Sequence, residues 1–301
     1  MSKLRTFGII DIGANLVDSM FSGIYNGSQK HEADLKNVLQ RSWDNGLKKI
    51  IITGTSLSDS HKALVLANES DKLFSTVGCH PTNCNEIDHD DKSYINSLVE
   101  LCLNNKHKVK ALGEFGLDYD RLHFCGKDNQ LKGFESQLIA FENIKLPLFL
   151  HCRNAADDLI DVLHRHRGKY IGGVVHSFDG SIEEARKIID LGLFIGLNGC
   201  SLKNEKNLEV VKQLPTDKLL VETDSPWCEI KASHAGFKYV QTQFPSVKKE
   251  KWQNDKLVKG RNEPCNIIQV LEIISCVKNE DINTLGEIIY QNTEKLFFSN
   301  S

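Results

Sequence analysis

One pattern constrains this chain more than any other. A short apolar, β-rich run ends in a polar residue, a helical stretch follows, and the unit recurs eight times. The runs are FGIID (7–11), KKIIITG (48–54), LFSTVGCH (73–80), VKALGEFG (109–116), LPLFLHC (146–152), YIGGVVHS (170–177), LFIGLNG (193–199) and KLLVETD (218–224). They are apolar almost throughout rather than alternating, which suits parallel strands covered on both faces. The segments between them carry helical signals. In HEADLKNVLQRSWDNG (31–46), Leu35, Val38, Leu39 and Trp43 share one stripe and Gly46 can end the helix. In NAADDLIDVLHRHRG (154–168), Asn154 is a candidate N-cap, Leu159, Ile160 and Leu163 share a face, and Gly168 is a stop. SIEEARKIIDLG (181–192) opens with a capping box, Ser181 with Glu184, and closes at Gly192. DINTLGEIIYQNTEKLFF (281–298) reads as a capped amphipathic helix that closes the barrel wall.

Eight strand–helix units in 301 residues predict an α/β chain of the TIM-type (β/α)8 barrel class. The chain reads as a single domain over 1–301, with a long insertion after strand eight at about 228–263. An open doubly wound sheet is the alternative, because periodicity does not show closure. In both architectures ligands bind at the carboxyl ends of the strands. The polar tips Asp11, His80, Glu114, His151, His176 and Asp224 are therefore read together.

Composition narrows the partners. A net charge of −3 gives no global basic field, so contact with nucleic acid would need local cations. Nine scattered cysteines with no C-x-x-C spacing read as reduced thiols of an intracellular protein. No apolar run approaches the roughly 18 residues of a membrane span, and the segment Met1–Arg5 is too short and polar for a signal peptide. The expected location is nucleus and/or cytoplasm, although VKKEKW (247–252) is too short and mixed for a nuclear signal. Oligomeric state is open.

Taken as metal ligands, Glu114, His151, His176 and Asp224 make a mixed N/O site for a divalent ion such as Zn²⁺, Mn²⁺ or Mg²⁺. A carboxylate can bridge two ions about 3.5–4 Å apart, an arrangement suited to in-line displacement at phosphorus. A water activated there would be the nucleophile, and Asp224 could accept its proton. Singly, each residue also fits a structural role: a hydrogen-bonded core histidine, an N-capping acid or an ion-pair partner. Four at four strand ends need one another, because buried charge requires partners.

At these residues the chain resembles the TatD family of metal-dependent deoxyribonucleases, TIM-barrel enzymes of the amidohydrolase-like group. The matching stretches, in order, are GCHP (78–81), GEFGLDYDR (113–121), LPLFLHCR (146–153), HSFDGS (176–181), ETDSPW (222–227) and RNEP (261–264). DIGANLVDSMF (11–21) followed by GIYNG (23–27) is similar to the eukaryotic-type branch. The resemblance implies that Glu114 bridges two divalent ions, that His151 and His176 hold the second, and that Asp224 serves the first or orients its water. Many relatives carry His-x-His on strand one; here those positions are Gly13 and Asn15. The first ion would then keep mainly oxygen ligands, which favours Mg²⁺ or Mn²⁺ over tight Zn²⁺. Asn15 becomes a weak ligand or a substrate contact. The implied activity is hydrolysis of DNA phosphodiester bonds, 3′–5′ exonucleolytic with some endonucleolytic cutting, in DNA processing, repair or degradation.

His80 and Arg153 are candidate substrate contacts, with a turn-fixing histidine and a structural ion pair as alternatives. Arg261 and Glu263 read as a structural pair. The segment 228–263 carries His234, Phe237, Lys238, Tyr239, VKKEKW and KLVKGR, and reads either as a strand-guiding flap or as a solvated charged insertion. RLHFCGKD (121–128) is a similar surface. Two rival functions remain: another hydrolase on the same barrel, cutting an amide, a lactone or an aminoacyl ester, and a DNA-binding or scaffold protein without catalysis.

Overall fold

All eight apolar runs are strands. They are β1 (Ile9–Ala14), β2 (Leu47–Ile52), β3 (Leu73–Val77), β4 (Val109–Asp118), β5 (Leu148–Arg153), β6 (Gly173–Val175), β7 (Leu193–Leu197) and β8 (Leu219–Val221). The structure, a computed structural model, describes residues 6–88 and 90–299, so the Met1–Arg5 segment lies outside the described residues. The strands form one sheet in the order of the sequence. From β3 through β7 each strand pairs in parallel with the next. One α-helix fills each gap: α1 (Leu35–Asp44), α2 (Leu57–Ala67), α3 (Ser93–Asn104), α4 (Lys127–Ala140), α5 (Ala156–Arg165), α6 (Ile182–Asp190) and α7 (Glu205–Gln213). Two more, α8 (Ile267–Lys278) and α9 (Ile282–Phe297), follow β8. Every residue of β1 and of the ten-residue β4 is buried, which explains why the runs read as continuously apolar. No helix among the described residues is long and apolar enough to cross a membrane.

Helix ends largely follow local chemistry. The Ser181–Glu184 capping box forms at the start of α6, and Gly192 beyond its end is left-handed, with φ +87°. The expected cap of α5 does not form. Asn154 itself takes a left-handed backbone, φ +51°, and its amide donates to Asp120 Oδ1 at 3.3 Å. The helix starts one residue later than a cap at Asn154 would set, with Ala155 at the N-cap position. Asp157 and Asp158 in its first turn complement the helix dipole instead.

The chain divides into two compact units, the first built from Met1–Ile50 and Leu197–Thr293, the second from Ile51–Gly196 and Glu294–Ser301. In the first unit, the Asp224 N–H donates to the Gly13 carbonyl at 2.9 Å and the Asn15 N–H to the Ser225 carbonyl at 2.7 Å, so the segments following β8 and β1 run side by side. The 228–263 segment belongs to this unit and is fastened rather than loose. Leu257 and Val258 are buried and pair in parallel with Ser246 and Val247. Trp252 stacks on His31, with ring centroids 5.5 Å apart, and its indole N–H donates to Asp34 at 3.0 Å. In the second unit, Phe115 of β4 packs against Phe134 and Phe141, at ring distances of 5.6 and 5.9 Å.

Candidate metal centre

Within the second unit, β4 and β5 create a slot. Gly116 pairs with His151 in the ladder, and a Cβ on Gly116 would stand 2.1 Å from the His151 carbonyl oxygen, so only glycine lets the strands approach there. Successive strand side chains alternate faces. Glu114 and Asp118 therefore flank the missing side chain of Gly116 on one face. The His151 ring lies between them, with Nδ1 2.8 Å from Glu114 Oε1 and Nε2 3.0 Å from Asp118 Oδ2. His176, just beyond β6, brings Nε2 to 2.9 Å from the same Glu114 oxygen and 3.3 Å from His151 Nδ1.

Proton positions follow from the partners. The Asp118 carboxylate can only accept, so His151 Nε2 carries a proton, while Nδ1 faces Glu114 Oε1. Burial opposes charge on His151, yet its hydrogen bonds to Asp118 and Glu114 outweigh that and raise its pKa. Burial would also raise Glu114, but His176, His80 and His151 hold it well below the usual carboxylate range. His80 is different. Its Nδ1 accepts from the Thr82 backbone N–H at 3.1 Å, so in the neutral ring the proton sits on Nε2, 3.4 Å from Glu114 Oε1. Burial pushes His80 down to about 3, which keeps it neutral. Although His80, Glu114 and His151 all offer ligand atoms within 4.8 Å of one another, His80 thus stands as a hydrogen-bond donor.

Three potential ligand atoms, Glu114 Oε1, His151 Nδ1 and His176 Nε2, converge at separations of 2.8, 2.9 and 3.3 Å. Ligands bound at about 2.1 Å on adjacent corners of an octahedron are about 3.0 Å apart. The set fits a divalent cation. Asp118 supports it from behind, so Asp118→Ala is expected to weaken metal affinity about 10–100-fold. Calorimetric titration with Mn²⁺ checks this, and an unchanged affinity would remove Asp118 from the site.

A second polar group lies in the first unit. Asn15 donates its amide N–H to Asp224 Oδ1 at 2.8 Å, and the Cys228 thiol donates to Asp224 Oδ2 at 3.2 Å. Beneath, the fully buried Asp11 accepts from the Thr223 hydroxyl at 2.5 Å and from the Thr223 and Gly13 N–H groups at 3.0 and 3.2 Å. Burial lifts Asp11 to about 8 against these hydrogen bonds. The folded state therefore keeps a proton that the unfolded chain releases near 3.8. Its stabilising contribution is complete below that value and is lost as pH rises towards about 8. Asp11→Asn should remove this slope. Urea titrations of both proteins across the range test it; a wild-type-minus-variant difference that does not change with pH contradicts the protonated Asp11.

A family model described as TatD related DNase matches residues 10–298. The chain belongs to the TatD family. The deoxyribonuclease Tat-D of Schizosaccharomyces pombe is 43% identical, with the alignment covering 97% of this chain and 96% of that protein. A solved TatD-family hydrolase from Entamoeba histolytica superposes with a TM-score of 0.92 at 41% identity, over 98% of this chain and 99% of that one, and the shared fold is the (β/α)8 barrel. A bacterial TatD relative from Pectobacterium parmentieri, named a 3′–5′ ssDNA/RNA exonuclease, is 31% identical over 96% of this chain and 99% of its own length.

Set beside the TatD motifs, the predicted residues separate by unit. Glu114, His151, His176 and His80 gather in the second, and Asn15 and Asp224 in the first. Arg153 is already engaged: its guanidinium binds Asp179, and its Nε lies 3.9 Å from Asp120. Asp118, inside the TatD stretch GEFGLDYDR, is the member of this cluster that sequence reasoning missed. Its signal was the four-residue spacing from Glu114 along one strand.

Proposed function

We propose that this chain is a metal-dependent deoxyribonuclease that hydrolyses DNA phosphodiester bonds, acting from 3′ ends with some internal cutting, in DNA processing, repair or degradation. The observation that carries the reading is the convergence of Glu114 Oε1, His151 Nδ1 and His176 Nε2 within 3.3 Å of one another. The names of the relatives, deoxyribonuclease and 3′–5′ exonuclease, support the substrate.

In this reading Glu114, His151 and His176 would hold one divalent ion in the second unit, and Asp224, in the first, would serve a second, oxygen-rich one, for which Mg²⁺ or Mn²⁺ is favoured over Zn²⁺. Bound there, the ions supply Lewis acidity to the phosphate and lower the pKa of water. Catalytic groups of this barrel class come from the carboxyl ends of several strands, and Asp224 follows β8 as His151 lies near the end of β5. Asp224 accepts the proton of the attacking water. Asn15, with its amide nitrogen on Asp224, orients that carboxylate rather than ligating through oxygen. His80 offers its Nε2–H to a substrate oxygen. Arg153 contacts phosphate by exchanging Asp179 for it.

The test is cleavage of end-labelled single-stranded DNA by purified protein with Mg²⁺ or Mn²⁺. Shortening from the 3′ end, stopped by chelator and slowed about 10²–10⁴-fold by Asp224→Asn, is expected. DNA left intact with every divalent ion refutes the proposal.

A further inference from the structure

The first unit carries a closely spaced pair of thiols that the proposed chemistry does not use. Cys200 opens the short 3-10 turn Cys200–Leu202 after β7, and Cys228 follows the Asp224–Trp227 turn with a left-handed backbone, φ +53°. Their sulfurs lie 2.9 Å apart, and both residues are half-buried thiols. That is less than about 1 Å beyond a disulfide bond of about 2.05 Å. Backbone packing sets the approach: a Cβ on Gly199 would stand 2.0 Å from the Cys228 carbonyl oxygen, so glycine there lets the two segments touch. The turn carrying Cys228 is tied in turn to Asp224, whose carbonyl accepts the Trp227 N–H at 2.9 Å. Cys79, Cys84, Cys102, Cys125 and Cys265, by contrast, are buried.

We propose that Cys200 and Cys228 form an oxidisable dithiol, a covalent modification site that peroxide converts to a Cys200–Cys228 disulfide and a dithiol reductant restores. In the first step one sulfur attacks hydrogen peroxide, the O–O bond breaks, and a sulfenic acid and water form. In the second, the other sulfur displaces the sulfenic hydroxyl as water, and the S–S bond forms. The two thiols lose two electrons and two protons, and one peroxide becomes two waters. The cross-link removes the S–H that Cys228 donates to Asp224 Oδ2. It therefore slows the reaction that Asp224 serves, a consequence that rests on the function proposed above.

The experiment treats the whole protein with one to ten equivalents of hydrogen peroxide, blocks remaining thiols by alkylation, and maps a non-reducing digest by mass spectrometry. A peptide pair joining Cys200 to Cys228, absent in Cys200→Ser and Cys200→Ala and reversed by dithiothreitol, is expected. Wild-type cleavage should fall at least fivefold and recover on reduction, while both variants stay within twofold of their untreated rates. No linked peptide at peroxide levels that oxidise the exposed Cys276 overturns the site. A linked peptide with an unchanged cleavage rate overturns its effect on Asp224. A linked peptide in a protein that cuts no DNA under any condition upholds the site and refutes the nuclease reading instead.

Discussion

Glu114→Gln is expected to lower metal-dependent cleavage by about 10³-fold, equivalent to about 4 kcal/mol of transition-state stabilisation, and to remove cation binding by the second unit. Glutamine has nearly the same shape, so the slot between β4 and β5 stays filled. Its neutral amide, however, offers N–H to the imidazole nitrogens that Glu114 leaves facing a carboxylate. The convergence of lone pairs is satisfied without a cation, and the attraction for one is gone. Mn²⁺ titration and single-turnover cleavage measure the two effects, with melting temperature as the check on folding. Cleavage within tenfold of wild type would show that Glu114 is not at the reacting centre.

The second large effect concerns stability. Arg261 is 1% exposed and holds both oxygens of buried Asp34, each at 2.7 Å, together with Glu263 at 2.9 Å. Arg41 grips Glu263 from the other side at 2.9 and 3.1 Å. Arg261→Ala leaves Asp34 without its bidentate partner in a buried site, and breaking such a pair costs about 3–5 kcal/mol. Arg261→Lys restores little, because an ammonium cannot span both carboxylates as the planar fork does. Urea denaturation of the two variants gives the answer, and a loss below 1 kcal/mol for the alanine variant would contradict it.

The strands were readable because each is short, buried and apolar between glycine or polar stops. Their ends were less so. The run ending at Gly116 reads as finished there, since glycine punctuates a strand pattern. In the fold, Gly116 instead sits inside the ladder against His151, and β4 continues through Leu117 to Asp118. That two-residue difference hid Asp118, although strand periodicity then places it on the face of Glu114. His80 was visible at a strand end, but its role turns on the Thr82 N–H that fixes its proton, a contact no spacing encodes. Asn154 failed as a cap because its backbone is left-handed, a conformation that residue preference alone does not reveal. Arg261 and Glu263 pair as RNEP implies, yet Asp34, 227 positions away, joins them only through tertiary packing.

The division of the chain also sets the order in which its clusters are synthesised. Apart from its last eight residues, the second unit is one continuous stretch, Ile51–Gly196. His80, Glu114, Asp118, His151 and His176 are all within it. The first unit waits for Leu197–Thr293 to join Met1–Ile50. At about 5–20 residues per second, translation of that later stretch takes on the order of 5–20 s. A chain halted before residue 224 therefore carries His80, Glu114, Asp118, His151 and His176 but not Asp224.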